Sequence, residues 1–372
     1  MANLTWGLLK ERKKNKLPVF IIMGLQIIKT GIATIVVAAT TYTPAVIKKN
    51  HQAENNEFQY RVMFYNVENL FDTFDDSLTA DEEFTPSGTL HWTIKRYNTK
   101  LKNTCKVIIA AGSWRPPDII GFCEIENRQV LQDLIGNTPL LKYPYRIVHE
   151  NSPDRRGIDV ALIYNDQTVR YITSRTFGVN KKGLLTRDIL YVKVILRKDT
   201  CHFFVNHWPS RSAGQLETEP DRFAAAGLLK RLTDSLFYIN ASSKILIMGD
   251  FNDEPTDESL VGELNVQTSL MNPYPGGLYN MTKSPSSGPV KGTLKYQGEW
   301  NNFDQIIASG SLLSDKRGIS VDPDGFGILL NPFIVEVDQK YNGYKPYRTY
   351  NGYTYQGGFS DHLPVYLDLI SR

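Results

Sequence analysis

Eight short runs of apolar and β-branched residues recur through this 372-residue sequence, and they constrain its fold more than any other feature. Each run has the length and composition of a β-strand, and polar or glycine-containing segments separate it from the next. The runs are residues 60–65, 119–123, 160–164, 189–196, 202–205, 245–248, 303–308 and 365–369. The pattern predicts a protein rich in short strands.

Two longer segments between these runs have the periodicity of amphipathic helices. They are residues 93–111 and residues 221–239, and the second carries a stripe formed by Phe223, Leu228, Leu229, Leu232 and Leu236. With 41% hydrophobic and 22% charged residues, the composition is that of a folded globular protein. The alternation of strands and helices predicts an α/β domain. Residues 272–298 are rich in Pro, Gly, Ser and Asn, which predicts a long loop of the kind that often carries function.

Polar side chains stand where the strand-like runs end, at positions that packing does not explain. They are Asn66, Glu124, His207, Asp250, Asn252, Asp304, Asp361 and His362. Taken singly, an Asp or Asn after a strand is more often a turn former or helix cap. Taken together, carboxylate and amide oxygens suit a hard divalent cation such as Mg²⁺ or Mn²⁺, and imidazoles can donate hydrogen bonds to phosphate oxygens.

Six short motifs around these residues occur in an order that is similar to a known family. They are NVENLFD (66–72), CEIEN (123–127), VNHWPSR (205–211), GDFN (249–252), FDQI (303–306) and SDH (360–362). The sequence resembles the endonuclease/exonuclease/phosphatase superfamily, the metal-dependent fold of pancreatic deoxyribonuclease. The resemblance implies a four-layer α/β sandwich, in which two mostly antiparallel β-sheets pack face to face and are flanked by helices. It also implies hydrolysis of a phosphate ester.

The resemblance implies a role for most of the residues at the strand ends. Glu124 matches the principal metal-binding glutamate, with Asn66 and Asp361 near the same ion directly or through water. Asp250 matches the aspartate that orients or deprotonates the attacking water, and Asn252 would hold the attacked phosphate or the nucleophile. His362 matches the catalytic histidine, whose tautomer and charge Asp304 would fix. The expected ion is Mg²⁺, with Mn²⁺ or Ca²⁺ as alternatives.

Four further residues are candidates at this site. His207 resembles the second phosphate-facing histidine of the deoxyribonuclease branch, and Asp188 is the match for the carboxylate that supports it. Arg156 and Arg211 are candidate phosphate donors, because the guanidinium fork matches phosphate geometry. Surface arginines that cap a strand are the competing interpretation. Trp208 is either a core residue or a stacking platform for a base.

The basic residues of the chain are concentrated at its beginning. The formal net charge of +3 divides into +7 for residues 1–50, with eight Lys or Arg and one Glu, and −4 for the remainder. Residues 1–49 are predicted to be an export leader or a membrane anchor. If translation begins at Met23, the segment has the features of a signal peptide that is cleaved near Ala39. Residues 50–57 are a polar linker, and residues 58–372 form the catalytic domain. We expect export to the periplasm or the exterior, and membrane contact only through the leader.

The expected activity is that of a nuclease that hydrolyses nucleic-acid phosphodiester bonds. The alternative is a phosphatase or phosphodiesterase for a small or lipid-linked phosphate, such as an inositol phosphate or sphingomyelin. A binding module with a dead site is disfavoured, because every member of the polar constellation is present. The acidic body argues against a long nonspecific nucleic-acid groove. We expect a monomer without an obligate protein partner, and three buried free cysteines, Cys105, Cys123 and Cys201.

Overall fold

The computed structural model describes residues 58–112, 115–283, 288–315, 317–322 and 324–371. The predicted leader (1–49) and linker (50–57) lie outside these residues. Within the described part of the chain, no helix combines the length and the apolar character that crossing a bilayer requires. The three cysteines are buried and free, as predicted.

The described residues contain twenty strands, most of them short. In chain order they are β1 (Phe58–Leu70), β2 (Ile119–Ile125), β3 (Tyr145–His149), β4 (Asp159–Asn165), β5 (Arg170–Phe177), β6 (Ile189–Leu196), β7 (Asp199–His207), β8 (Lys244–Asp250), β9 (Val266–Gln267), β10 (Leu278–Asn280), β11 (Leu294–Tyr296), β12 (Glu299–Asn301), β13 (Asp304–Ser309), β14 (Ile319–Val321), β15 (Gly327–Ile328), β16 (Val335–Val337), β17 (Tyr344–Pro346), β18 (Tyr350–Asn351), β19 (Thr354–Tyr355) and β20 (Val365–Ser371). All eight predicted strands are present.

Two large sheets contain most of these strands. The first has the order β14-β20-β1-β2-β4-β3, with β15 also paired to β20, and the second has the order β5-β6-β7-β8-β13-β10-β9. Both are mostly antiparallel. The exceptions are β1 with β2 in the first sheet, and β7 with β8 and β9 with β10 in the second. Three small hairpins, β11-β12, β16-β17 and β18-β19, stand apart from the sheets.

Four helices and four short helical turns complete the described secondary structure. The helices are α1 (Ile94–Ala111), α2 (Arg128–Gly136), α3 (Gln215–Ile239) and α4 (Gly310–Ser314). The turns are the 3₁₀ segments Glu82–Phe84, Pro139–Lys142 and Arg211–Ala213, and the π-helical segment Ser259–Glu263. The sequence pattern did not predict α2.

The strands alternate their side chains between two cores, which explains why they read as nearly continuous apolar runs. In β1, Val62 and Phe64 lie in the core between the two sheets, whereas Met63 and Tyr65 lie in the core beneath α1 and α2. A third core packs the outer face of the second sheet against α3, through residues such as Leu229. The layers are therefore helix, sheet, sheet and helix, and the predicted four-layer sandwich is confirmed.

Helix α3 begins six residues before the predicted start at Asp221, and it contains Pro220. The buried side chain of Arg222 explains the extra turn. Its guanidinium donates hydrogen bonds to the carbonyl oxygen of Gln215 (2.9 Å) and the hydroxyl of Thr218 (2.7 Å). These bonds tie the first turn of the helix to Arg222, next to Pro220, which has no N–H to donate within the helix.

The segment 272–298 was predicted to be a loop, and this prediction is wrong in part. Strand β10 extends the second sheet beside β13, and β11 begins a hairpin with β12. Both strands have only three residues, and short strands between Pro, Gly and Ser residues are below what a sequence period can reveal.

The stability of the fold should depend on pH through His202, a buried residue of β7. Burial, with the nearby charge of Lys193, lowers the pKa of His202 to about 4. The unfolded chain binds a proton below about pH 6.5. The stability that neutral His202 contributes is thus complete above pH 6.5 and is lost as pH falls towards 4. When the pH is lowered from 7 to 4.5, we expect the unfolding free energy of His202→Gln to fall by about 1–2 kcal/mol less than that of the wild type.

Urea unfolding of both proteins at the two pH values measures this difference. The introduced glutamine side chain would keep a polar group near the hydroxyl of Tyr191, which lies 2.8 Å from Nδ1 of His202 in the wild type. Equal losses of stability in the two proteins would contradict the prediction.

Candidate active site

The predicted polar residues meet at one edge of the two sheets. Asn66 and Glu124 lie near the carboxyl ends of the parallel neighbours β1 and β2. On the second sheet, strand register places His207 of β7 beside Asp250 of β8, and Asp304 of β13 on the other side of Asp250. Facing edges of two packed sheets therefore bring together residues that are far apart in sequence.

Irregular backbone directs several of these side chains. The pairing of β2 with β4 shifts register between Cys123 and Ile125, and Glu124 at this bulge has a φ of 61°. The end of β1 is also irregular, with a φ of 52° at Glu68 and 55° at Asn69. A bulge re-aims one side chain, and left-handed backbone at a non-glycine residue is costly, so such positions concentrate at functional sites.

A close approach of β7 and β8 explains the glycine before Asp250. A Cβ atom on Gly249 would lie 2.5 Å from the carbonyl oxygen of Asn206, so no larger residue fits. Beyond Asp250 the chain turns sharply at Asn252, whose φ is 51°. The N–H of Asn252 donates to Oδ1 of Asp250 (3.0 Å), and its Nδ2 donates to the carbonyl oxygen of Trp208 (3.0 Å). The GDFN motif is thus a rigid turn that fixes both side chains.

Asn66 links the carboxylates of the two sheets. Its Nδ2 donates to Oδ2 of Asp250 (3.0 Å) and approaches Oε1 of Glu124 (3.4 Å), while its Oδ1 accepts the N–H of Glu68 (3.0 Å). The N–H of Asn69 donates to Oε2 of Glu124 (2.8 Å). In this arrangement Asn66 positions the two carboxylates by donating to them, and its contact with a metal ion stays a prediction.

His362 and Asp304 form a buried hydrogen-bonded pair. Nδ1 of His362 lies 2.7 Å from Oδ2 of Asp304, and Nε2 lies 3.8 Å from Oδ2 of Asp250. Burial alone would lower the pKa of His362, but the charges of Asp304 and Asp250 outweigh it and raise the pKa well above the usual value. His362 is therefore cationic, with Nε2 directed at Asp250.

His207 approaches the same carboxylate as a neutral ring. Its Nε2 lies 3.8 Å from Oδ2 of Asp250 and 4.0 Å from Oε1 of Glu124. Burial, followed by the charges of Arg187, Arg156 and His362, lowers the pKa of His207 well below its usual value. Asp250 thus stands between two imidazoles of different charge. Its own pKa is raised to about 6, chiefly by burial, although the charge of His362 opposes the rise.

Asp188 does not support His207 as expected. Among the described residues, Nδ1 of His207 has no hydrogen-bond partner, and neither does Oδ1 of Asp188. The carboxyl of Asp188 interacts with Thr176 on the neighbouring strand β5 instead, and burial raises its pKa. Thr176 draws the carboxyl towards β5, so the prediction for Asp188 is corrected.

Arg187 is a neighbour of His207 that the sequence did not single out. Its side chain is only 6% exposed, and it donates to Asp154 (3.1 Å) and to the carbonyl oxygen of Trp208 (2.6 Å). Within the described part of the chain, its Nε has no hydrogen-bond partner. Trp208 itself is 1% exposed, so it is a core residue and not a stacking platform.

The two arginines predicted to bind phosphate have different surroundings. Arg211 is held by the carboxylates of Asp253 and Asp257, and its Nε donates to the carbonyl oxygen of Asn252 (2.5 Å). It therefore positions the turn at Asn252, which corrects its assignment as a phosphate donor. Arg156 is half exposed, and its Nε lies 3.9 Å from Asp154. It stays a candidate, because its charge is close enough to lower the pKa of His207.

Asp361 belongs to a charge network that the sequence did not reveal. Arg348 donates to Asp361 (3.0 Å) and to Glu68 (3.0 Å), and the fully buried Nζ of Lys100 lies 4.0 Å from Glu68. Lys100 also donates to the hydroxyl of Thr349 (2.5 Å), and burial lowers its pKa to about 8. The network holds Asp361 beside the end of β1, on the Glu124 side of the site.

The donor set fits a hard divalent cation. Asp304 is paired with His362 and Asp361 with Arg348, whereas the groups that approach Oε1 of Glu124 in the described part of the chain are the Asn66 amide (3.4 Å) and the neutral ring of His207 (4.0 Å). Its anionic oxygen, on a side chain that is 14% exposed, is placed to bind a cation. Cys123 also lies near Asp250, but burial raises the pKa of its thiol, so it stays protonated. Carboxylate oxygens without soft ligands favour Mg²⁺, Mn²⁺ or Ca²⁺.

These carboxylates and imidazoles, gathered at one edge of a four-layer sandwich, define a phosphoester hydrolase. The chain belongs to the Endonuclease/Exonuclease/phosphatase family, whose model matches residues 61–371. Members of this family depend on a divalent metal and hydrolyse phosphate esters. The resemblance inferred from the six motifs is confirmed. No curated protein matches the sequence significantly.

Solved structures with this fold are distant in sequence. A family member from Bacteroides thetaiotaomicron is 16% identical with a TM-score of 0.53, and the match covers 85% of this chain and 99% of that one. A mannosyl-6-phosphatase from the same organism is also 16% identical with a TM-score of 0.53, covering 83% and 99%. TDP2 from Caenorhabditis elegans is 14% identical with a TM-score of 0.51, covering 85% and 75%. At these identities the similarity shows the fold alone.

Proposed function

We propose that this enzyme hydrolyses phosphodiester bonds of nucleic acid with the help of Mg²⁺. The observation that carries the proposal is a pair of cavities, one lined by Asn252 and the other by Arg348, which pairs with Asp361. A phosphodiester has an organic group on each side of the phosphorus, and two cavities provide a place for each. A phosphomonoester would fill only one.

The first cavity, here named the hairpin cavity, has a volume of 730 Å³ and lies on the side of Asn252. It is lined by Ser210, Arg211, Ser212, Gln215, Asn252, Leu294, Tyr296, Gln297, Glu299, Asn301 and Phe303. The second, the arginine cavity, has a volume of 380 Å³ and lies on the side of Glu68 and Arg348. Both volumes are in the range of small-ligand sites, so each can hold about one nucleotide unit.

The residues of the cluster supply the steps of hydrolysis. Asp250 is placed to accept a proton from the attacking water, since a pKa near 6 suits a base at neutral pH. His362, charged and held by Asp304, can donate a hydrogen bond to a phosphate oxygen. His207 lies at the same distance from Asp250 on the other side and can contact a second oxygen. Bound at Glu124, a divalent cation would neutralise charge on the phosphate.

A substrate panel tests the proposal. Single-stranded DNA, duplex DNA, RNA, hexose 6-phosphates, inositol phosphates and sphingomyelin are incubated with enzyme, with EDTA and after Mg²⁺, Mn²⁺ or Ca²⁺ is added back. We expect cleavage of nucleic acid that EDTA stops and that Mg²⁺ restores best. Release of inorganic phosphate from monoesters without cleavage of any nucleic acid would overturn the proposal in favour of a phosphatase.

We also propose that the enzyme is exported and that its leader is removed near Ala39. The basic charges before an apolar run and the small residues at 37–39 support this location. Sequencing the mature N-terminus in fractionated cells checks it. An intact Met1 in the cytoplasmic fraction would contradict export.

A further inference from the structure

The β11-β12 hairpin is attached directly to the catalytic pair. Thr293, at the base of the hairpin, accepts the N–H of Asp304 with its hydroxyl (3.2 Å) and the N–H of Leu363 with its carbonyl oxygen (2.7 Å). Leu294 forms a β-bridge with His362. The position of the hairpin relative to Asp304 and His362 is therefore fixed by the backbone, and the wall it forms is part of the site.

The hairpin presents an aromatic ring to solvent in a fixed arrangement. Gln297 and Gly298 at its tip have φ values of 49° and 94°, which is the two-residue turn that suits a twisted hairpin. The Nε2 of Gln297 donates to the hydroxyl of Tyr296 (3.1 Å). Lys295 pairs with Asp338 (2.9 Å) and ties the hairpin to the segment that follows β16. Tyr296 is nevertheless 65% exposed and lines the hairpin cavity.

The chemistry of the hairpin cavity favours a neutral ring over a second phosphate. The guanidinium of Arg211 is neutralised by Asp253 and Asp257, and it lies 4.7 Å over the ring of Phe303. Glu299 adds a negative charge to the lining. The remaining polar groups are amides and hydroxyls, which can hydrogen-bond to the edge of a base but do not attract an anion.

From these observations we infer that the hairpin cavity binds one unpaired nucleobase next to the scissile phosphate, stacked on Tyr296. The inference rests on the proposed nuclease function and deepens it. A base within a duplex is already stacked and paired, and moving it into a cavity costs a few kcal/mol. The enzyme should therefore prefer single-stranded to duplex substrates, with base stacking in place of the long basic groove that the net charge of −4 after residue 50 disfavours.

Dinucleotides test this inference, because each contains one phosphodiester bond. The wild-type enzyme and Tyr296→Ala are compared on thymidine dinucleotide and on two analogues in which one or the other thymine is replaced by hydrogen. Base stacking contributes about 1–3 kcal/mol, so wild-type kcat/KM should fall by roughly tenfold when one particular thymine is removed. The ratio of kcat/KM for the complete dinucleotide to kcat/KM for the analogue without that thymine should fall to about 1 in Tyr296→Ala. Tyr296→Phe should restore the wild-type ratio.

Tyr238→Ala is the matched control, because Tyr238 is 93% exposed near the end of α3 and should leave the ratio as in wild type. A wild-type enzyme that cleaves the dinucleotide equally fast with and without either base would overturn the inference and leave the nuclease function standing. If Tyr296→Ala has the same ratio of kcat/KM values as the wild type, the inference is likewise overturned and the nuclease function still stands. Failure of the wild type to cleave any dinucleotide or oligonucleotide would overturn the nuclease function itself.

Discussion

Replacing Asp250 with Asn is expected to lower kcat for phosphodiester hydrolysis by about 10³-fold. Asn keeps the shape of the side chain but cannot accept a proton from water. It also removes the negative charge that lies 3.8 Å from the imidazoles of both His207 and His362. Because both rings approach the carboxylate of Asp250, this single change disturbs the surroundings of both imidazoles.

The stability of Asp250→Asn separates a chemical effect from a folding defect. The pKa of Asp250 is raised in the folded protein, so its ionised form at neutral pH opposes folding. We expect the melting temperature of the variant to equal or exceed that of the wild type, as happens at other strained sites.

Single-turnover rates, together with thermal unfolding curves, measure both quantities. Asp166→Asn is a suitable control, because the carboxylate of Asp166 is exposed and pairs with Arg146 at 2.9 Å. A variant at Asp250 that keeps a tenth of wild-type activity would exclude this residue as the base.

The candidate catalytic residues could be predicted because they break the apolar pattern of the strands. Asn66, His207 and Asp250 each follow a buried run, and such residues have no role in packing. The fold brings them together because neighbouring strands run in parallel, β1 with β2 and β7 with β8. This pairing sends their carboxyl ends to one edge. The order of the strands in each sheet was not visible in the sequence.

The supporting residues could not be predicted, because their partners are distant in sequence. Lys100 lies in the middle of α1 and has the spacing of a solvated helical lysine, yet it is fully buried against Glu68 and Thr349. Arg187 likewise precedes a strand and reads as a surface residue, until β7 places Trp208 beside it. Burial of such charges depends on the whole tertiary structure. No local period in the sequence reports it.

Backbone irregularity was also outside the reach of sequence patterns. In a regular strand Glu124 would continue the side-chain alternation of β2, whereas the bulge and the φ of 61° turn it into the cluster. Asp188 shows the opposite error. The family resemblance matched it to the carboxylate that supports His207, but its carboxyl interacts with Thr176. The sequence therefore identified candidates, and only the geometry decided between them.

Replacing Glu124 with Gln is expected to weaken metal binding and to lower activity by about 10³-fold at Mg²⁺ concentrations that saturate the wild type. Gln keeps the hydrogen bond from the N–H of Asn69, which is 2.8 Å in the wild type, so the bulge should be retained. It removes the anionic charge at Oε1. In the structure the Asn66 amide approaches that oxygen to 3.4 Å and the neutral His207 ring to 4.0 Å.

Glu126→Gln provides a matched control, since Glu126 is a second buried carboxylate only two residues away, whose Oε2 accepts the N–H of Asp72 (2.5 Å). Activity measured against Mg²⁺ concentration should shift to higher metal for Glu124→Gln and stay in place for Glu126→Gln. Calorimetric titration with Mn²⁺ gives a readout that does not depend on catalysis. Equal metal affinity in Glu124→Gln and wild type would assign the cation to other carboxylates, and Asp250 with Asp361 would then be the pair to replace next.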